Sequence, residues 1–548
     1  MRIIEPIAIT DTGSFSVPGE SVATRTYFDK NGVMQTAAVG QPRFTYDPLT
    51  GEYDGLLIEG EETNIIPNSN VITSGVNSSV LNDFLFASDL NLFMDALVEN
   101  TSNAEHYPTD FTISTPSIGF YYIFSFFVKS YGVGAERRAV CRIAGGNNAN
   151  ITLNLNTETF TSSGVEMYDK GFQKLKNGIY RIWVIILARN STGTVFRCQL
   201  DNGTTTTYLG DGISGLLIAG RQLIKTNVAP KIGSVPSSYI HTTGTTVTRY
   251  AEVWNGVMLT NVPETDYTEW TAPATFAMDE RCMVTTAAYH TVYQSKIASN
   301  TGNDPTVITN ADKWVEVGKT NRWKPFDGYV SSQATLSNEL LYSIKVPAGS
   351  LVDSIALMNV DAFQARIIIT DAVDGIVYQE TINLVSESGI TDYWEYFFAP
   401  VVRIQNLVRT GLPVYSGQRI DIQLLDVGGS PKVGAIIVGL GFDVGDTQYG
   451  MQIGSTDYSV KKIDEFGNIT LTERPYSDEL TLTAMVNNTD LAAIKYLLTR
   501  LRATPIVAIG AEDVFDEVSA AFGIIESWAQ AVNYPNQTVL SFTLKGLT

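Results

Sequence analysis

Residues 118–128 read Ile-Gly-Phe-Tyr-Tyr-Ile-Phe-Ser-Phe-Phe-Val and form the most apolar stretch of the chain. This stretch has about half the residues that a helix needs to cross a bilayer, so it does not predict a membrane span. Aromatic and β-branched side chains favour strands, and a short apolar run of this kind indicates a buried strand. We therefore expect the chain to fold around β-sheets.

Similar runs recur through the first 250 residues, separated by Gly, Asn and Ser clusters. They lie at 111–114, 121–128, 151–155, 179–187 and 194–200. Asn147-Asn148-Ala149-Asn150 and Asp201-Asn202-Gly203 supply turn residues between such runs. The regular spacing predicts an antiparallel sandwich of the jelly-roll type, with one short helix near 79–91.

The rest of the sequence predicts strands in a different arrangement. Asp374-Gly375 marks a hairpin within a region that alternates in period two. Near the C-terminus, apolar spacing predicts a helix from Leu491, with Asn488 or Thr489 as its N-cap. The remaining C-terminal elements are a turn at 464–468, strands at 505–509, 524–531 and 538–544, and a helical turn or strand at 514–521.

These patterns together define the predicted fold class and domains. The chain is expected to be mainly β, a multi-domain β-sandwich and jelly-roll protein with a small C-terminal α+β domain. The predicted segments are a jelly roll at 1–252, a connector with lead-in strands at 253–328, a second sandwich at 329–452 and an α+β docking domain at 453–548.

Composition narrows the function classes. The 548 residues carry a formal net charge of −20, and such an acidic surface repels phosphate backbones and anionic lipids. We therefore expect neither nucleic-acid binding nor membrane insertion. Cys141, Cys198 and Cys282 are isolated in sequence, which indicates folding in a reducing cytoplasm. The first six residues lack the features of a signal peptide, so we expect release from the cell by lysis.

No catalytic motif stands out in the sequence. The histidines do not have zinc-ligand spacing, and neither a nucleophile elbow nor a P-loop is present. Glu59, Glu61 and Glu62 could supply a glycosidase pair, but such a pair is defined by its separation in space, which a sequence does not give. We expect a non-enzymatic protein with no catalytic residues.

Three short motifs are expected to be plain turns. Asp29-Lys30-Asn31-Gly32 and Asp201-Asn202-Gly203 carry oxygen ligands that calcium prefers, but neither continues into the loop of an EF-hand. Gly439-Leu440-Gly441 lacks the third glycine and the helix of a nucleotide-binding loop. We expect no cofactor and no metal site, and a structural calcium ion is left as an alternative.

Aromatic side chains are the candidate ligand-binding groups. Trp and Tyr rings can stack on the apolar faces of sugars, although such rings more often fill cores. Trp183 lies in an apolar run and is expected in a core. Trp270, Trp394 and Tyr396 are the candidate carbohydrate-binding residues.

Residues 20–252 contain a series of short motifs. The opening half reads Tyr27-Phe28-Asp29-Lys30-Asn31-Gly32-Val33, Pro42-Arg43-Phe44-Thr45-Tyr46-Asp47, Gly55-Leu56-Leu57-Ile58-Glu59 and Thr63-Asn64. The closing half reads Gly215-Leu216-Leu217-Ile218-Ala219-Gly220, Pro236-Ser237-Ser238-Tyr239-Ile240 and Val247-Thr248-Arg249. The series resembles a module of phage tail fibre, tailspike and other virion proteins, except that Glu62 stands where the module often has arginine. The resemblance implies a concanavalin-like or carbohydrate-binding-module jelly roll that serves particle structure and sugar binding.

A second series of motifs precedes the second sandwich. It reads Val292-Tyr293, Asn300-Thr301-Gly302-Asn303-Asp304-Pro305, Trp314-Val315-Glu316-Val317-Gly318, Thr320-Asn321-Arg322-Trp323 and Phe326-Asp327. Similar segments of phage tail proteins lead into a galactose-binding-like sandwich, which implies that fold for 329–452. We expect Trp314, Trp323 and Phe326 to pack as core.

The last motifs lie near the C-terminus and are Leu501-Arg502, Thr504-Pro505-Ile506-Val507 and Lys545-Gly546-Leu547. They are similar to small α+β domains of phage tail-tip and baseplate components. This similarity implies docking against another virion protein.

Three functional hypotheses follow. The first is a non-enzymatic structural protein of a phage tail fibre, tail tip or baseplate, made in the bacterial cytoplasm and bound to host cell-surface carbohydrate. Its expected partners are other virion tail proteins and further copies of itself, a trimer by analogy with fibres. The second is a polysaccharide depolymerase tailspike, disfavoured because no β-helix repeat is present. The third is a head decoration or head fibre protein.

Overall fold

A computed structural model describes most of the chain, and it forms two compact units. The described residues are 1–9, 14–132, 136–286, 290–386, 392–398, 400–463, 468–474, 476–511 and 519–547, with residues 395 and 396 described by their backbone. One unit is Ser14–Asn255, and the other joins Met1–Gly13 to Gly256–Thr548. The predicted boundaries therefore differ from the structure at residues 1–13, which belong with the C-terminal unit.

The Ser14–Asn255 unit is a sandwich of two antiparallel sheets. The six-stranded sheet has the order Met167–Lys174, Tyr180–Leu187, Tyr121–Tyr131, Gly215–Thr226, Leu92–Glu99 and Ser78–Ala87. The five-stranded sheet has the order Phe111–Ile113, Thr194–Asp201, Arg138–Gly145, Ala149–Leu153 and Phe160–Ser163. Phe124, Ile182 and Phe196 belong to the core between the sheets, so the apolar stretch that begins at 118 is a buried strand as predicted.

The outer face of the six-stranded sheet is covered by the two ends of this unit. Met34 and Tyr239 pack there against Phe127, and Ile240 packs against Trp183, which is buried as predicted. These ends form short ribbons that pair Ser14–Ser16 with Val253–Asn255, Thr26–Phe28 with Met34–Thr36, Arg43–Tyr46 with Tyr53–Leu57, and Glu62–Asn64 with Val247–Arg249. Two further ribbons pair Gly75–Val76 with Tyr107–Pro108 and Asn103–Glu105 with Thr207–Leu209.

The helix predicted near 79–91 is wrong. Ser78–Ala87 is an edge strand, and its apolar residues do not form one buried helical stripe. Val80 packs against the sandwich core and Leu85 against the covering layer, because strand alternation places residues five apart on opposite faces. Apolar residues on both faces of one strand produced the misleading spacing.

The second unit is built on one long sheet that also forms half of a sandwich. Its order is Leu407–Arg409, Ser354–Met358, Ala435–Asp443, Arg2–Pro6, Ile506–Ile509, Ala520–Ala531, Gln537–Gly546, Tyr476–Asn487 and Asp446–Thr447, with Gln452–Asp457 also paired to Tyr476–Asn487. The opposing sheet has the order Met258–Thr260, Glu339–Lys345, Arg419–Leu425, Gln364–Asp371 and Gly375–Asn383. Ile355, Ile367 and Val438 pack between them, which makes this region the predicted second sandwich.

The N-terminal strand connects that sandwich to the C-terminal elements. Arg2–Pro6 pairs on one side with Ala435–Asp443 and on the other with Ile506–Ile509. The turn predicted at Gly439-Leu440-Gly441 is wrong because these residues lie within a strand. A Cβ on Gly439 would lie 2.1 Å from the carbonyl oxygen of Glu5, so glycine allows this close pairing.

Residues 253–328 contain a small sheet and three buried tryptophans, Trp254, Trp314 and Trp323. The sheet has the order Thr268–Glu269, Arg281–Val284, Thr291–Ser295 and Trp314–Lys319. Trp323 is fully buried in the core of the second sandwich with Phe326 packed against that core, and Trp314 is buried in a separate cluster with Phe276 and Cys282. Trp323 and Phe326 pack on the sandwich as predicted, whereas Trp314 is buried in its own cluster and not on the sandwich core.

Helices are few in the described chain. Leu491–Arg500 forms the predicted helix, but its N-cap is Asp490, which makes no side-chain cap hydrogen bond. Ile494 and Leu498 pack on the long sheet with Phe542, which confirms the α+β arrangement. The other helical elements are the α-helix Tyr393–Phe398 and the short 3₁₀ turns Lys176–Gly178, Ile308–Asn310 and Lys324–Phe326. No helix among the described residues has the length and apolar character needed to cross a bilayer.

Several small ribbons complete the second unit. They pair Thr275–Phe276 with Asn300–Thr301, Ala334–Thr335 with Lys432–Val433, Val385–Ser386 with Val402–Arg403, and Val460–Ile463 with Ile469–Thr472. The hairpin at Asp374-Gly375 is confirmed by the pairing of its flanking strands. The turn predicted at 464–468 and most of the segment predicted at 514–521 lie outside the described residues. The fold is thus mainly β with a small α+β region, as predicted.

Candidate functional site

The motif residues of the Ser14–Asn255 unit meet in a buried network of charges. Glu252 accepts hydrogen bonds from Arg25 at 2.7 Å and from both Nε and Nη2 of Arg43 at 2.8 and 2.7 Å. Arg43 also contacts Glu59 at 2.8 Å, and Arg249 bridges Glu59 at 3.1 Å. We call these five residues the buried ion network. It ties the first ribbons of the unit to its last strands, so its charges hold the fold together.

Glu59 and Glu62 are held by these arginines. Glu62 accepts from Arg249 at 2.7 Å and from the hydroxyl of Ser237. Burial raises the pKa of Glu59, but the guanidinium groups of Arg249 and Arg43 and two hydrogen bonds from Ser238 outweigh it, so the pKa lies below its ordinary value. A carboxyl held in its charged form is a poor general acid, which argues against that role for Glu59.

The turns at Asp29 and Asp201, predicted as plain turns with calcium as the alternative, are closed by their own hydrogen bonds. Oδ1 of Asp29 accepts from the backbone N–H groups of Asn31 and Val33 at 2.9 and 3.0 Å. Oδ1 of Asp201 accepts from the N–H of Gly203 at 2.7 Å. Within the described chain, no three His, Cys, Asp or Glu side chains are grouped so that they could hold a metal ion.

The structure places the predicted carbohydrate-binding residues in different surroundings. Trp270 is half-buried and packs against the cluster that contains Trp314. Trp394 is 67% exposed on the helix Tyr393–Phe398, with its ring centroid 5.6 Å from that of Phe398. The side chain of Tyr396 lies outside the described residues. Their role in sugar binding stays a prediction.

Two cavities of the second unit join beside the long sheet to form one open site. Two adjoining cavities of about 730 and 530 Å³ share Gln405, Asn406, Tyr476, Asp478 and Ala520. We call the joined space the 476 cleft. Each cavity falls within the range of about 300–1,000 Å³ that is typical of ligand pockets.

Elements distant in sequence form the walls of the 476 cleft. Tyr476 and Asp478 begin the strand Tyr476–Asn487, while Gln405 and Asn406 come just before the strand Leu407–Arg409. Buried Met358 and Phe522 supply apolar floor. The cleft therefore brings together residues beside strands that lie near opposite ends of the long sheet, and no single segment contains them.

Polar side chains in the 476 cleft are available to a ligand. Within the described part of the chain, the side chains of Gln405, Glu473, Arg474 and Tyr476 make no hydrogen bond or ion pair, and Tyr476 is 54% exposed. Burial raises the pKa of Asp478, so its protonated form is favoured more than usual. An exposed ring beside unpaired donors and acceptors suits a polyhydroxylated ligand, which offers an apolar face and several hydroxyl groups.

One wall of the cleft is already ordered by internal bonds. The side-chain oxygen of Asn406 accepts from the backbone N–H of Asn359 at 3.2 Å, and Nδ2 of Asn359 donates to the carbonyl of Val330 at 2.8 Å. These bonds fix the amide side chain of Asn406 at the boundary of both cavities. Preordering of this kind lowers the entropy lost when a ligand binds.

Sequence reasoning missed the 476 cleft. Its members are scattered over 330–547, and none belongs to a motif with a known spacing. The only local signal was a tyrosine close to two acidic residues at 473–478, which is too common to single out a site. Contacts across the sheet, which a sequence does not display, define this site.

The fold and the cleft define a multi-domain β-sandwich protein, and comparisons with known proteins leave the family open. No protein-family model matches the chain, and no curated protein matches it. Among solved structures, the N-terminal CBM22-1–CBM22-2 tandem domain of Paenibacillus barcinonensis Xyn10C is similar at 8% identity and a TM-score of 0.20, over 70% of this chain and 98% of that one. A Paenibacillus sp. cycloisomaltooligosaccharide glucanotransferase complexed with cycloisomaltoheptaose is similar at 9% identity and a TM-score of 0.16, over 69% and 47%. The sandwich assignment accordingly rests on the sheets and cores of this chain.

Proposed function

We propose that this protein is a non-enzymatic carbohydrate-binding protein of a bacteriophage tail, and that the 476 cleft is its glycan-binding site. One observation carries the glycan proposal: a half-exposed Tyr476 stands among unpaired Gln405, Glu473 and Arg474. A sugar ring stacked on Tyr476 would place its hydroxyl groups near those side chains. The proposed ligand is therefore a glycan of the host cell surface.

Titration of glycans against a matched pair of variants tests the cleft. A glycan array followed by calorimetry with host surface polysaccharide should detect binding to the native chain. Tyr476→Ala should weaken it by roughly tenfold, because a ring contact is worth about 1 kcal/mol. Tyr449→Ala removes a fully exposed tyrosine outside the cleft and should leave binding unchanged. An array without hits, or equal losses in both variants, would contradict the proposal.

The virion assignment is supported by the motif series in 20–252 and 292–327. It predicts that the chain is retained in purified particles together with other tail proteins, in a homo-oligomer. Mass spectrometry of particles tests retention, and immunogold labelling tests position. Label on the capsid would favour the head-fibre alternative, and absence from particles would reject both assignments.

A second candidate function is hydrolysis of the same glycan. The specific observation is the raised pKa of Asp478, which lies in the cleft with Glu473 and Glu479. A raised pKa favours the protonated form of a carboxyl, which is the form that a general acid requires. Release of reducing ends by the native chain, and its loss in Asp478→Asn, would establish a depolymerase in place of a binding protein.

A further inference from the structure

Two of the three cysteines face each other across a pair of strands. Cys141 lies on the strand Arg138–Gly145. Its register partner on the antiparallel strand Thr194–Asp201 is Cys198. The two residues are 0% and 2% exposed, belong to the same core between the sheets, and are free thiols in this structure. Cysteines directly opposite each other on one face of a sheet have the arrangement that a cross-strand disulfide requires.

The hydrogen-bond pattern of this strand pair brings the two cysteines close. The backbone N–H of Gly146 donates to the carbonyl oxygen of Gly193 at 3.0 Å, and these residues continue the register that pairs Cys141 with Cys198. Hydrogen-bonded and non-hydrogen-bonded pairs alternate along an antiparallel ladder, and no register shift interrupts this one. The cysteines lie five positions further along, so theirs is a non-hydrogen-bonded pair. Opposed Cα atoms in such pairs are about 4.5 Å apart, within the range of about 4.4–6.8 Å found for disulfides.

Both thiols point to the inside of the sandwich. The sulfur of Cys141 lies 3.6 Å from the carbonyl oxygen of Phe124, which belongs to the opposite sheet. Residues two positions apart share a face of a strand, and the neighbouring register pair Ile143 and Phe196 is buried in the same core. The side chain of Cys198 therefore stands on the same face as that of Cys141, and the pair can be joined without turning either strand.

We propose that Cys141 and Cys198 form a disulfide when the folding chain meets an oxidant of the small-disulfide class, such as oxidised glutathione. The thiolate of one cysteine attacks the small disulfide, forms a mixed disulfide and releases one small thiolate. The thiolate of the other cysteine then displaces the second small thiolate and closes the protein disulfide. Two cysteine thiols are thereby oxidised and one small disulfide is reduced to two thiols, which take up the two cysteine protons.

Burial determines when this reaction proceeds. Burial raises the pKa of both thiols, and since the thiolate is the attacking form, the closed core reacts slowly. A mixed disulfide also needs space that a close-packed core does not offer. We therefore expect the bond to form while the chain folds or when the two strands separate. In a reducing cytoplasm the same pair stays as two thiols.

Cys282 provides a control within the same chain. It is also buried, in the cluster that contains Phe276 and Trp314. Its register partners on the adjacent strands are Thr268 and Tyr293, so no cysteine stands opposite it. It belongs to the other compact unit of the chain and should stay a thiol when Cys141 and Cys198 are oxidised.

Thiol mapping after refolding tests the proposal. The full chain is unfolded with reductant, refolded in a mixture of oxidised and reduced glutathione, and alkylated with iodoacetamide in denaturant. Peptide mass spectrometry should find the Cys141 peptide linked to the Cys198 peptide and Cys282 alkylated. Refolding with reductant alone should leave all three cysteines alkylated. In Cys141→Ala, Cys198 should not be linked to any other cysteine of the chain.

A second measurement serves if the chain does not regain its far-ultraviolet circular dichroism on refolding. The native chain is then held with oxidised glutathione in urea just below its unfolding midpoint, where the strands separate transiently, and is mapped in the same way. The same linked peptide should accumulate with time.

Two outcomes would overturn the proposal. Alkylation of both Cys141 and Cys198 after oxidation would show that the opposed pair does not close. A link from either residue to Cys282 would show that disulfide formation does not follow the strand register. Neither outcome bears on glycan binding, because the cysteine pair and the 476 cleft belong to different units of the chain.

Discussion

The buried ion network and the 476 cleft use similar side chains in opposite ways. In the network, the guanidinium of Arg43 contacts Glu59 and Glu252 and donates to a backbone carbonyl oxygen, and its side chain has no exposed surface. In the cleft, Arg474 is exposed and unpaired within the described chain. The first arrangement stabilises the fold, and the second leaves bonding capacity for a ligand.

The difference teaches that recognisable motifs need not mark ligand sites. Arg43, Glu59 and Arg249 belong to the motif series that resembles phage virion proteins, yet all three are engaged in closing the sandwich. Asn64 behaves likewise, since its side chain donates to the carbonyl of Ile240 and accepts from the N–H of Leu223. The motif residues therefore join the two ends of the Ser14–Asn255 unit, while the proposed ligand site contains no motif.

The largest expected effect is a loss of stability from breaking the network. Glu252→Ala would remove the buried carboxylate that Arg25 and Arg43 share, so that each guanidinium keeps only its other carboxylate partner. Removing one member of a buried ion pair costs about 3–5 kcal/mol. Urea unfolding should show this loss. Glu158→Ala, which breaks an exposed pair with Lys174, should leave the midpoint unchanged. Equal midpoints for Glu252→Ala and the native chain would show that the network contributes no net stability.

A smaller effect is expected on binding at the cleft. Arg474→Ala should weaken glycan binding by roughly tenfold, the value of about 1.4 kcal/mol for a lost charged hydrogen bond. Because the side chain of Arg474 makes no hydrogen bond or ion pair within the described chain, the unfolding midpoint of Arg474→Ala should match that of the native protein. Calorimetry and urea unfolding on the same sample check both parts, and a stability loss would show that Arg474 belongs to the fold.

Lowering the pH should change the stability contributions of Glu59, in the network, and of Asp478, in the cleft, in opposite directions. The pKa of Glu59 is depressed in the folded state, so its contribution to stability is present above its ordinary pKa of 4.5 and is lost as the pH falls through the folded value. The pKa of Asp478 is raised above 3.8, so the charged form destabilises the fold at neutral pH, and this penalty disappears as the pH falls through the folded value. At neutral pH Glu59→Gln should therefore be less stable than the native chain and Asp478→Asn more stable, and both differences should shrink as the pH is lowered from neutral towards about pH 3. Parallel curves would contradict the assigned shifts.

The smallest expected effect is that of Asp478→Asn at neutral pH. Relieving a half-buried carboxylate should stabilise the second unit by less than about 1 kcal/mol. Thermal unfolding at neutral pH measures it, with Asp457→Asn, an exposed acid on a nearby strand, as the control. A marked destabilisation would mean that Asp478 is held charged by a partner.

Much of the fold was predictable because strand patterns and turn residues are local. The strands around Tyr121–Tyr131, the hairpin at Asp374-Gly375 and the helix from Leu491 all follow from short-range rules. The role of the first strand was not predictable. Arg2–Pro6 pairs with strands more than 400 residues away, and the sequence of these five residues does not indicate which strands those are.

The site was less predictable than the fold, for the same physical reason. Tyr476 and Gln405 line the same cavities although their strands lie near opposite ends of the long sheet, and neither chain spacing nor strand order indicates this proximity. Trp394 was singled out for its aromatic neighbours, and its exposure agrees with that choice, but exposure alone does not show a ligand. The buried ion network was visible only as a set of motifs whose purpose the sequence left open.

The most direct test of the division between fold and recognition is a paired titration of host surface polysaccharide, with urea unfolding of the same samples. Tyr476→Ala should lose glycan affinity and keep its unfolding midpoint, whereas Arg43→Met should lose stability and, while folded, keep its affinity. The reverse pattern, with glycan affinity lost in folded Arg43→Met and retained in Tyr476→Ala, would place recognition at the motif residues and contradict the account.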